Sequence, residues 1–253
     1  MAEGDTILRT AHRLERALRG KVVNAAAPNP RGRAAGVGRV DGRTVEAVSP
    51  KGKHLIFELE DLVLHSHLGM NGSWRVYRRG EAWGKPAAAA WAVLGTDALD
   101  AVQFGGPTLR VMPARSVRND PLLSRLGPDV LAPGFDPAEA IARMRAQPQR
   151  ELGDALLDQG LVAGIGNIFK SEACFAVPVD PWARVADLDD SELVEALLAA
   201  RALMLAAAEN GRHPHRVYKH AGRPCPRCRT TVRSRGQGDA NRTTYWCPKC
   251  QSG

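Results

Sequence analysis

The sequence predicts an α+β protein in which an N-terminal helix packs on a β-sandwich or barrel and a helical region follows. Three patterns support this prediction: an amphipathic helix at the start, short alternating runs from residue 21 to about residue 110, and helical periodicity from residue 137. Four cysteines near the C-terminus then predict a β-hairpin that binds a metal ion. We expect three domains, spanning residues 1–125, 126–212 and 213–253.

The first helix is expected to have Asp5 as its N-cap and to end at Gly20. Apolar residues recur at helical spacing on one face: Ile7, Ala11, Leu14 and Leu18. The opposite face carries four arginines: Arg9, Arg13, Arg16 and Arg19. This division predicts a helix that packs on the β-structure through its apolar side.

The clearest β-structure is a hairpin of Lys53–Leu59 and Leu62–His67 around a turn at Glu60 and Asp61. Further strands are expected near residues 73–77, 91–94 and 101–104. After a proline-rich boundary that runs to Pro137, helices are expected over 137–146, 151–157 and 167–175. A long last helix should start after Asp189 with Glu192 completing a capping box, and Gly211 should end it.

Charge is distributed unevenly along the 253 residues, which carry a formal net charge of +8 and have a pI of about 9.6. The segment from Arg201 to the C-terminus holds eleven basic residues against two acidic ones, whereas the first 200 residues are nearly neutral. A basic module of this kind fits a nucleic acid or an acidic membrane surface, or it is simply a solvated face. Without a membrane span or a secretory signal in the sequence, we expect a cytoplasmic protein.

Four of the five cysteines form two knuckles, Cys225–Cys228 and Cys247–Cys250, separated by 18 residues. Each knuckle can supply two thiolates to one ion, and four thiolates in a tetrahedron suit one structural Zn²⁺. Two disulfides or a redox pair are the alternatives, and the absence of secretory features favours zinc. The fifth, Cys174, lies in an apolar helical segment and is expected to be a buried hydrophobe.

A glycine-rich stretch, residues 158–167, connects two predicted helices and contains Gly160, Gly164 and Gly166. Glycine lets a backbone approach a phosphate, and Asn167 would open a helix whose free amides attract anions. A tight turn that only needs positive φ explains the same glycines, so both interpretations stay open at this point.

Several motifs taken together identify a family. The chain resembles the formamidopyrimidine-DNA glycosylase and endonuclease VIII family in segments along nearly its whole length: Ala2–Gly4, Lys51–His54, His67–Trp74, Leu126–Leu131, Ala155–Ile168 and Arg242–Cys250. The resemblance implies a helix–two-turn–helix motif in the helical domain and a zinc-finger hairpin at the end. It also implies a monomeric, nucleoid-associated enzyme that everts damaged bases from DNA, excises them and nicks abasic sites through a Schiff base.

The nucleophile in this family is the α-amine exposed when Met1 is removed, and it normally belongs to proline. Here the second residue is Ala2. An α-amine has a pKa near 7.7–8.0, so roughly a tenth or more of it is neutral at pH 7. Its imine can lose a proton where the iminium of proline cannot, so catalysis by Ala2 should depend more on pH. Glu3 resembles the family's general acid and base; an ordinary first-turn carboxylate is the structural alternative.

The remaining family positions point to DNA contacts. Lys53 resembles the lysine at the phosphate flanking the lesion, although an exposed edge-strand lysine is the plain alternative. Asn167 and Arg242, with the loop of Gly164 and Gly166, would hold backbone phosphates. Met70 resembles the wedge that fills the gap left by an everted base; its alternative is a core methionine.

Two departures favour the endonuclease VIII-like branch and oxidised pyrimidines, hydantoins or abasic sites. No Arg-Phe-Gly occurs at the expected place before Leu126, and Gln103–Gly106 is the nearest fragment, so the second wedge and the partner of the opposite base are in doubt. The interval between Gly211 and the first knuckle is also short. A weaker wedge set would relax the need for duplex DNA, so single-stranded or bubble DNA is a candidate substrate. A DNA-binding protein that lost its lyase chemistry with the change to alanine, or a zinc scaffold that binds an acidic protein, are the competing classes.

Overall fold

The computed structural model describes residues 2–213 and 215–252 and divides into two compact units. The first unit contains Ala2 and Thr6–Ser124, and the second contains Glu3–Asp5 and the chain from Arg125 onward. Helices and strands occur together in the first unit, and helices precede a β-hairpin in the second. The predicted α+β class is therefore confirmed.

The first unit holds one long helix, one short helix and eight strands among the described residues. Their bounds are α1 Gly4–Leu18, β1 Asn24–Ala26, α2 Pro30–Ala34, β2 Ala47–Lys51, β3 His54–Leu59, β4 Leu62–His67, β5 Ser73–Arg78, β6 Ala90–Gly95, β7 Leu99–Phe104 and β8 Thr108–Pro113. The strands form two antiparallel sheets in the orders β1-β6-β7-β5 and β2-β3-β4-β8. One apolar core contains side chains from both sheets and from α1, so the structure is a sandwich with a helix packed on it.

α1 packs through the predicted apolar stripe, since Ile7, Ala11, Leu14 and Leu18 are all fully buried. The helix begins at Gly4, so the prediction that Asp5 is its N-cap is wrong: Asp5 lies in the first turn. Asp5 is fully buried there, and its carboxylate lies 2.8 Å from Nε2 of His213. This buried carboxylate thus has a hydrogen-bond partner, and the positive end of the helix dipole also stabilises it.

The β3–β4 hairpin has the predicted register, with Leu59 opposite Leu62 and Glu60 at positive φ in the turn. β3 begins at His54 rather than at Lys53, because Lys51 of β2 already pairs with His54. Lys53 therefore lies with Gly52 in a two-residue turn between β2 and β3, and Gly52 has a φ of 57°. The expectation that Lys53 is the first residue of a strand is corrected to a turn position.

The second unit contains four helices and one β-hairpin among the described residues: α3 Pro137–Arg145, α4 Leu152–Ala155, α5 Asn167–Ala176, α6 Asp190–Asn210, β9 Arg233–Gln237 and β10 Arg242–Trp246. Asp189 and Glu192 form the predicted capping box of α6, and Gly211 ends the helix at a φ of 72°. These local signals are confirmed because each satisfies backbone groups that a helix end leaves without partners.

α5 is buried from Asn167 to Phe175, which is unusual for a helix with charged residues. Cys174 is fully buried, as predicted, and burial raises the pKa of its thiol to about 12. Neither α5 nor any other helix within residues 2–213 and 215–252 is long and apolar enough to cross a membrane.

Candidate functional site

Ala2 lies against the loop that follows β4. Its backbone nitrogen donates a hydrogen bond to the carbonyl oxygen of Gly69 at 3.2 Å, and after removal of Met1 this nitrogen is the α-amine. Met1 itself is outside the described residues. Met70 follows Gly69 and is 70% exposed, so the alternative of a core methionine is wrong. The first unit thus brings the predicted nucleophile and the predicted wedge to one surface.

Glu3 is buried at the start of α5. It is only 1% exposed, and its Oε1 accepts a hydrogen bond from the backbone N–H of Ile168 at 3.0 Å. The first turn of a helix has N–H groups without helical partners, so it stabilises a carboxylate. The sequence predicted that the free amides at the start of this helix attract an anion, and the anion that the Ile168 amide binds is the carboxylate of Glu3.

The two glycines predicted to contact DNA shape this arrangement. A Cβ at Gly166 would lie 2.1 Å from Cδ of Glu3, closer than any side chain permits. Gly164 has a φ of 104°, and its carbonyl oxygen accepts from the N–H of Gly4 at 3.0 Å. Gly166 provides space for the carboxylate of Glu3, and Gly164 binds the backbone N–H of Gly4 next to it. Both interpretations of the glycine stretch therefore apply: Gly164 adopts a positive φ in the turn, and Gly166 leaves space for an anion, the carboxylate of Glu3.

Replacing Gly166 with alanine should displace Glu3 from α5. We expect Gly166→Ala to lower the free energy of unfolding by about 1–3 kcal/mol through overpacking and to reduce catalytic turnover far more than DNA affinity. Gly134→Ala is the matched control, because a Cβ at Gly134 meets nothing within 4 Å. Thermal unfolding and single-turnover kinetics measure both effects; unchanged turnover in a folded Gly166→Ala protein would contradict the role of this contact.

Asn167 connects α5 to the C-terminal hairpin. Its Nδ2 donates to the carbonyl oxygen of Thr243 at 2.8 Å, while its buried Oδ1 has no hydrogen-bond partner within the described parts of the chain. Arg242 is the first residue of β10 and pairs with Gln237 of β9. Asn167 therefore binds the strand residue next to Arg242, which fixes the two predicted phosphate ligands relative to each other.

A fully buried lysine, Lys170, strengthens the same connection. Its Nζ donates to Oγ1 of Thr244 at 2.7 Å, and that hydroxyl donates to Oε1 of Gln237 at 2.5 Å. Burial lowers the pKa of Lys170 to about 8. Lys170 was not predicted as a site residue, although a lysine next to Ile168 and Phe169 in a largely apolar segment was a visible signal. Burying a charged group costs free energy, and a buried charge that loses its partner is strongly destabilising. The contact between Lys170 and Thr244 therefore fixes α5 in one position relative to the β9–β10 hairpin.

The lowered pKa gives a stability prediction with a definite sign. Below pH 8 both states of the protein keep the Lys170 proton and the folded state bears the full burial penalty; above pH 8 the folded state releases it, whereas the unfolded state keeps it until about 10.5. The stability of the wild type relative to Lys170→Met should therefore rise between pH 8 and 10.5. Chemical denaturation across this range measures the difference; a flat or falling difference would refute the assignment.

A second buried charge, Glu172, orders the segment after α6. Its carboxylate accepts from the backbone N–H groups of three consecutive residues, Arg216, Val217 and Tyr218, at 2.8–3.0 Å. The sequence analysis also missed this residue, whose signal was again a charge inside an apolar helix. Because Glu172 lies on the same helix as Asn167, it anchors the basic segment to the helix that carries the site.

Three histidines lie behind the turn that carries Lys53. Nδ1 of His54 is 2.8 Å from Nε2 of His65, and the rings of His54 and His67 stack at 4.6 Å. Nε of Arg110 donates to Nδ1 of His65, and Arg110 also binds the buried carboxylate of Asp120 at 2.6 Å.

Burial lowers the pKa of His54 to about 3 and that of His65 to about 4. Both rings are therefore neutral near pH 7. Since Arg110 can only donate, His65 keeps its proton on Nε2 and donates it to His54. The two histidines next to the turn at Lys53 are thus neutral and continue a directed hydrogen-bond chain that starts at Arg110, whose charge is paired with Asp120.

The segment Gln103–Gly105 does not provide a second wedge. Gln103 is fully buried, with Nε2 bound to the carbonyl oxygen of Gly105 at 2.6 Å, and Phe104 is 2% exposed in a small core with Val93 and Val102. Gln103 and Phe104 are thus core residues in this structure, unlike the exposed Met70.

The four predicted metal ligands come together at the base of the β9–β10 hairpin. The sulfur atoms of Cys225, Cys228, Cys247 and Cys250 all lie within 4.8 Å of one another. Two of the separations, 3.9 Å for Cys225–Cys250 and 3.4 Å for Cys228–Cys247, bracket the ~3.8 Å edge of a tetrahedron with zinc–sulfur bonds of ~2.3 Å. The residues fit one structural Zn²⁺, and four protein ligands leave no position for a reacting water.

Comparison with known families gives three adjoining matches. The formamidopyrimidine-DNA glycosylase N-terminal domain matches residues 1–115, and the formamidopyrimidine-DNA glycosylase H2TH domain matches residues 126–218. A zinc finger found in FPG and IleRS matches residues 222–253. The zinc finger predicted from the cysteines is therefore confirmed.

Two curated proteins are similar to this chain over its full length. A protein of Streptomyces coelicolor named probable endonuclease 8 2 is 43% identical over 270 residues, covering 100% of this chain and 95% of that protein. The DNA-(apurinic or apyrimidinic site) lyase Nei2 of Mycolicibacterium smegmatis is 35% identical, covering 100% and 99%. Among solved structures, the formamidopyrimidine-DNA glycosylase of Lactococcus lactis bound to abasic-site DNA is 23% identical with a TM-score of 0.83, covering 99% of this chain and 100% of that one. This last likeness shows the fold.

Proposed function

The chain belongs to the formamidopyrimidine-DNA glycosylase and endonuclease VIII family, and we propose that it is a base-excision DNA glycosylase and abasic-site lyase whose nucleophile is the Ala2 α-amine. The observation that carries the proposal is the junction of Ala2 and Glu3: an amine at the chain end next to a carboxylate buried at a helix N-terminus. The two relatives are named for endonuclease and lyase activity, which favours this function over a non-catalytic binding protein.

The chemistry starts from the neutral amine. Its lone pair attacks C1′ of the damaged nucleotide, the bond from C1′ to the base breaks, and the base leaves with a proton. The nitrogen then loses its second proton as the bond from C1′ to the ring oxygen breaks, the ring oxygen takes up a proton, and the imine forms. The protonated imine accepts electrons as a C2′ proton is removed and the bond to the 3′ phosphate breaks. Water then hydrolyses the imine, which regenerates the amine and releases the nicked strand in addition to the free base.

Glu3 is suited to the proton transfers of this sequence. It is covalently next to the amine and is held by the Ile168 amide, so it cannot swing away from Ala2. A carboxylate fixed beside the reacting sugar can accept a proton from the attacking amine, pass it to the ring oxygen as the ring opens, and accept a proton again in the elimination. General acid–base catalysis of this type contributes about 10²–10⁴-fold to the rate.

Substrate binding falls to the residues around this pair. Lys53, Asn167 and Arg242 would hold backbone phosphates, and the exposed Met70 would fill the space of the everted base. Gly164 and Gly166 act indirectly in this proposal, by keeping Glu3 and α5 in place. The zinc ion would stabilise the knuckles and so fix the β9–β10 hairpin that carries Arg242.

The role of the amine is tested by controlling the N-terminus. A chain that keeps Met1, made by placing a bulky residue directly after it, should lose abasic-site cleavage by about a thousandfold or more while still binding abasic-site DNA. Ala2→Pro is the matched control and should stay active with a weaker pH dependence, because its iminium has no N–H to lose. Intact mass identifies the N-terminus and gel assays measure cleavage; full activity with Met1 retained would exclude the proposal.

We further propose that the protein acts as a monomer on oxidised pyrimidines or hydantoins and that it accepts single-stranded or bubble DNA. The buried positions of Gln103 and Phe104 support the acceptance of single-stranded or bubble DNA. Met70 is then the wedge in this region, so fewer side chains stabilise a duplex from which a base has been everted. Cleavage of one lesion in single-stranded, bubble and duplex oligonucleotides should be fastest without a complementary strand opposite the lesion. Equal or faster cleavage of the duplex would contradict this preference.

A further inference from the structure

The arginine face of α1 borders a cleft beside the nucleophile. This cleft has a volume of about 340 Å³ and lies between α1 and β5. Its lining includes Ala2 and Met70, the apolar Leu68 and three arginines, Arg9, Arg13 and Arg75. The proposed nucleophile and wedge therefore share one cavity with three guanidinium groups, which the phosphate contacts proposed above do not use.

The three arginines are close enough to affect one another. Partial burial lowers the pKa of Arg13, and the charges of Arg9 and Arg75 lower it further. Among the described residues, no carboxylate lies within 4.0 Å of the three guanidinium groups, and the cleft lining contains none. Nη2 of Arg13 is held by the carbonyl oxygen of Trp74 at 2.7 Å. Such clustering is unfavourable in the free protein, so it suggests a ligand that offers electron-rich atoms.

Donors dominate the hydrogen-bonding capacity of the cleft. A guanidinium has five N–H donors and no acceptor. Among the lining side chains the oxygen acceptors are hydroxyl groups such as that of Thr10, whose own proton is donated to the carbonyl oxygen of Thr6 at 2.7 Å. A hydrogen bond to a charged donor stabilises a complex more than one between neutral groups. Carbonyl oxygens on a ligand are thus favoured, and amino groups face like charge.

The occupant follows from the position of Ala2. The amine attacks C1′, which also bears the damaged base, so a base everted at that moment lies next to Ala2. A volume of about 340 Å³ accommodates one base, and the exposed Met70 offers apolar surface to a ring, which a phosphate would not use. The contents of the cleft therefore match a flat, carbonyl-bearing heterocycle better than a backbone phosphate.

We propose that this arginine cleft, defined by Arg9, Arg13 and Arg75, is the base-selecting site of the protein and favours imide-type bases derived from uracil or thymine over amino-bearing bases derived from cytosine. The inference rests on the proposed glycosylase function and specifies its substrate. Discrimination against intact thymine then depends on the ease of eversion, which is greater for damaged bases.

The test compares two lesions that differ at position 4 of the ring. Oligonucleotides of one sequence carry 5-hydroxyuracil, 5-hydroxycytosine or an abasic site, and single-turnover base release is divided by each protein's own abasic-site cleavage rate. The wild type should release 5-hydroxyuracil about tenfold faster or more, the ratio expected when one charged hydrogen bond is lost. Arg9→Gln and Arg75→Gln should narrow this ratio, because glutamine both donates and accepts. Arg16→Gln is the matched control on the same helix outside the cleft and should keep the wild-type ratio.

The outcomes separate the inference from the function on which it rests. The base-selecting site is overturned if the wild type releases 5-hydroxyuracil and 5-hydroxycytosine at nearly equal rates, or if both cleft variants keep the wild-type ratio of these rates. In either case, cleavage of the abasic site still supports the lyase function. If the cleft variants weaken binding to lesion, abasic and undamaged DNA equally and the ratio is unchanged, the cleft holds a phosphate and the inference is also overturned. Failure to cleave the abasic site with a free Ala2 amine would instead count against the proposed function.

Discussion

The burial of Glu3 at the N-terminus of α5 is the constraint on which the rest of the site depends. A chain terminus normally moves freely, but a nucleophile at the terminus must be held. Here the N–H of Ile168 binds the carboxylate next to that terminus, and the N–H of Gly4 binds Gly164. Gly166 makes the approach possible, since a Cβ there would overlap Cδ of Glu3. The glycine loop thus organises the reactive end of the chain.

The same helix links this end to the zinc hairpin. Asn167 binds Thr243, Lys170 binds Thr244 and Glu172 binds the backbone of residues 216–218. Three polar side chains of a buried helix therefore fix the basic C-terminal segment, and the four cysteines fix the far end of the hairpin. The excess of positive charge that the sequence concentrates after Arg201 is in this way tied to the helix that holds Glu3.

Local signals made much of this predictable. The β3–β4 register, the capping box at Asp189 and the zinc knuckles depend on residues a few positions apart, and all agree with the structure. Contacts over long separations were not predictable: Lys170 and its partner are 74 residues apart, and Glu3 and Ile168 are 165 apart. The predicted start of α1 was wrong by two residues and that of β3 by one, because this helix and this strand are bounded by partners that sequence patterns do not show. A glycine pattern indicates space for an anion, but it does not show whether that anion is a ligand or a carboxylate of the same chain.

The central claim is that Ala2 supplies the nucleophile. Its most direct test is reduction with borohydride during the reaction on an abasic-site oligonucleotide, followed by protease digestion and mass spectrometry of the peptide that carries the nucleotide. This account predicts one modified peptide, which starts at Ala2 and carries the adduct on its α-nitrogen. An adduct on Lys53 or another lysine, or no adduct in protein from which Met1 has been fully removed, would contradict it.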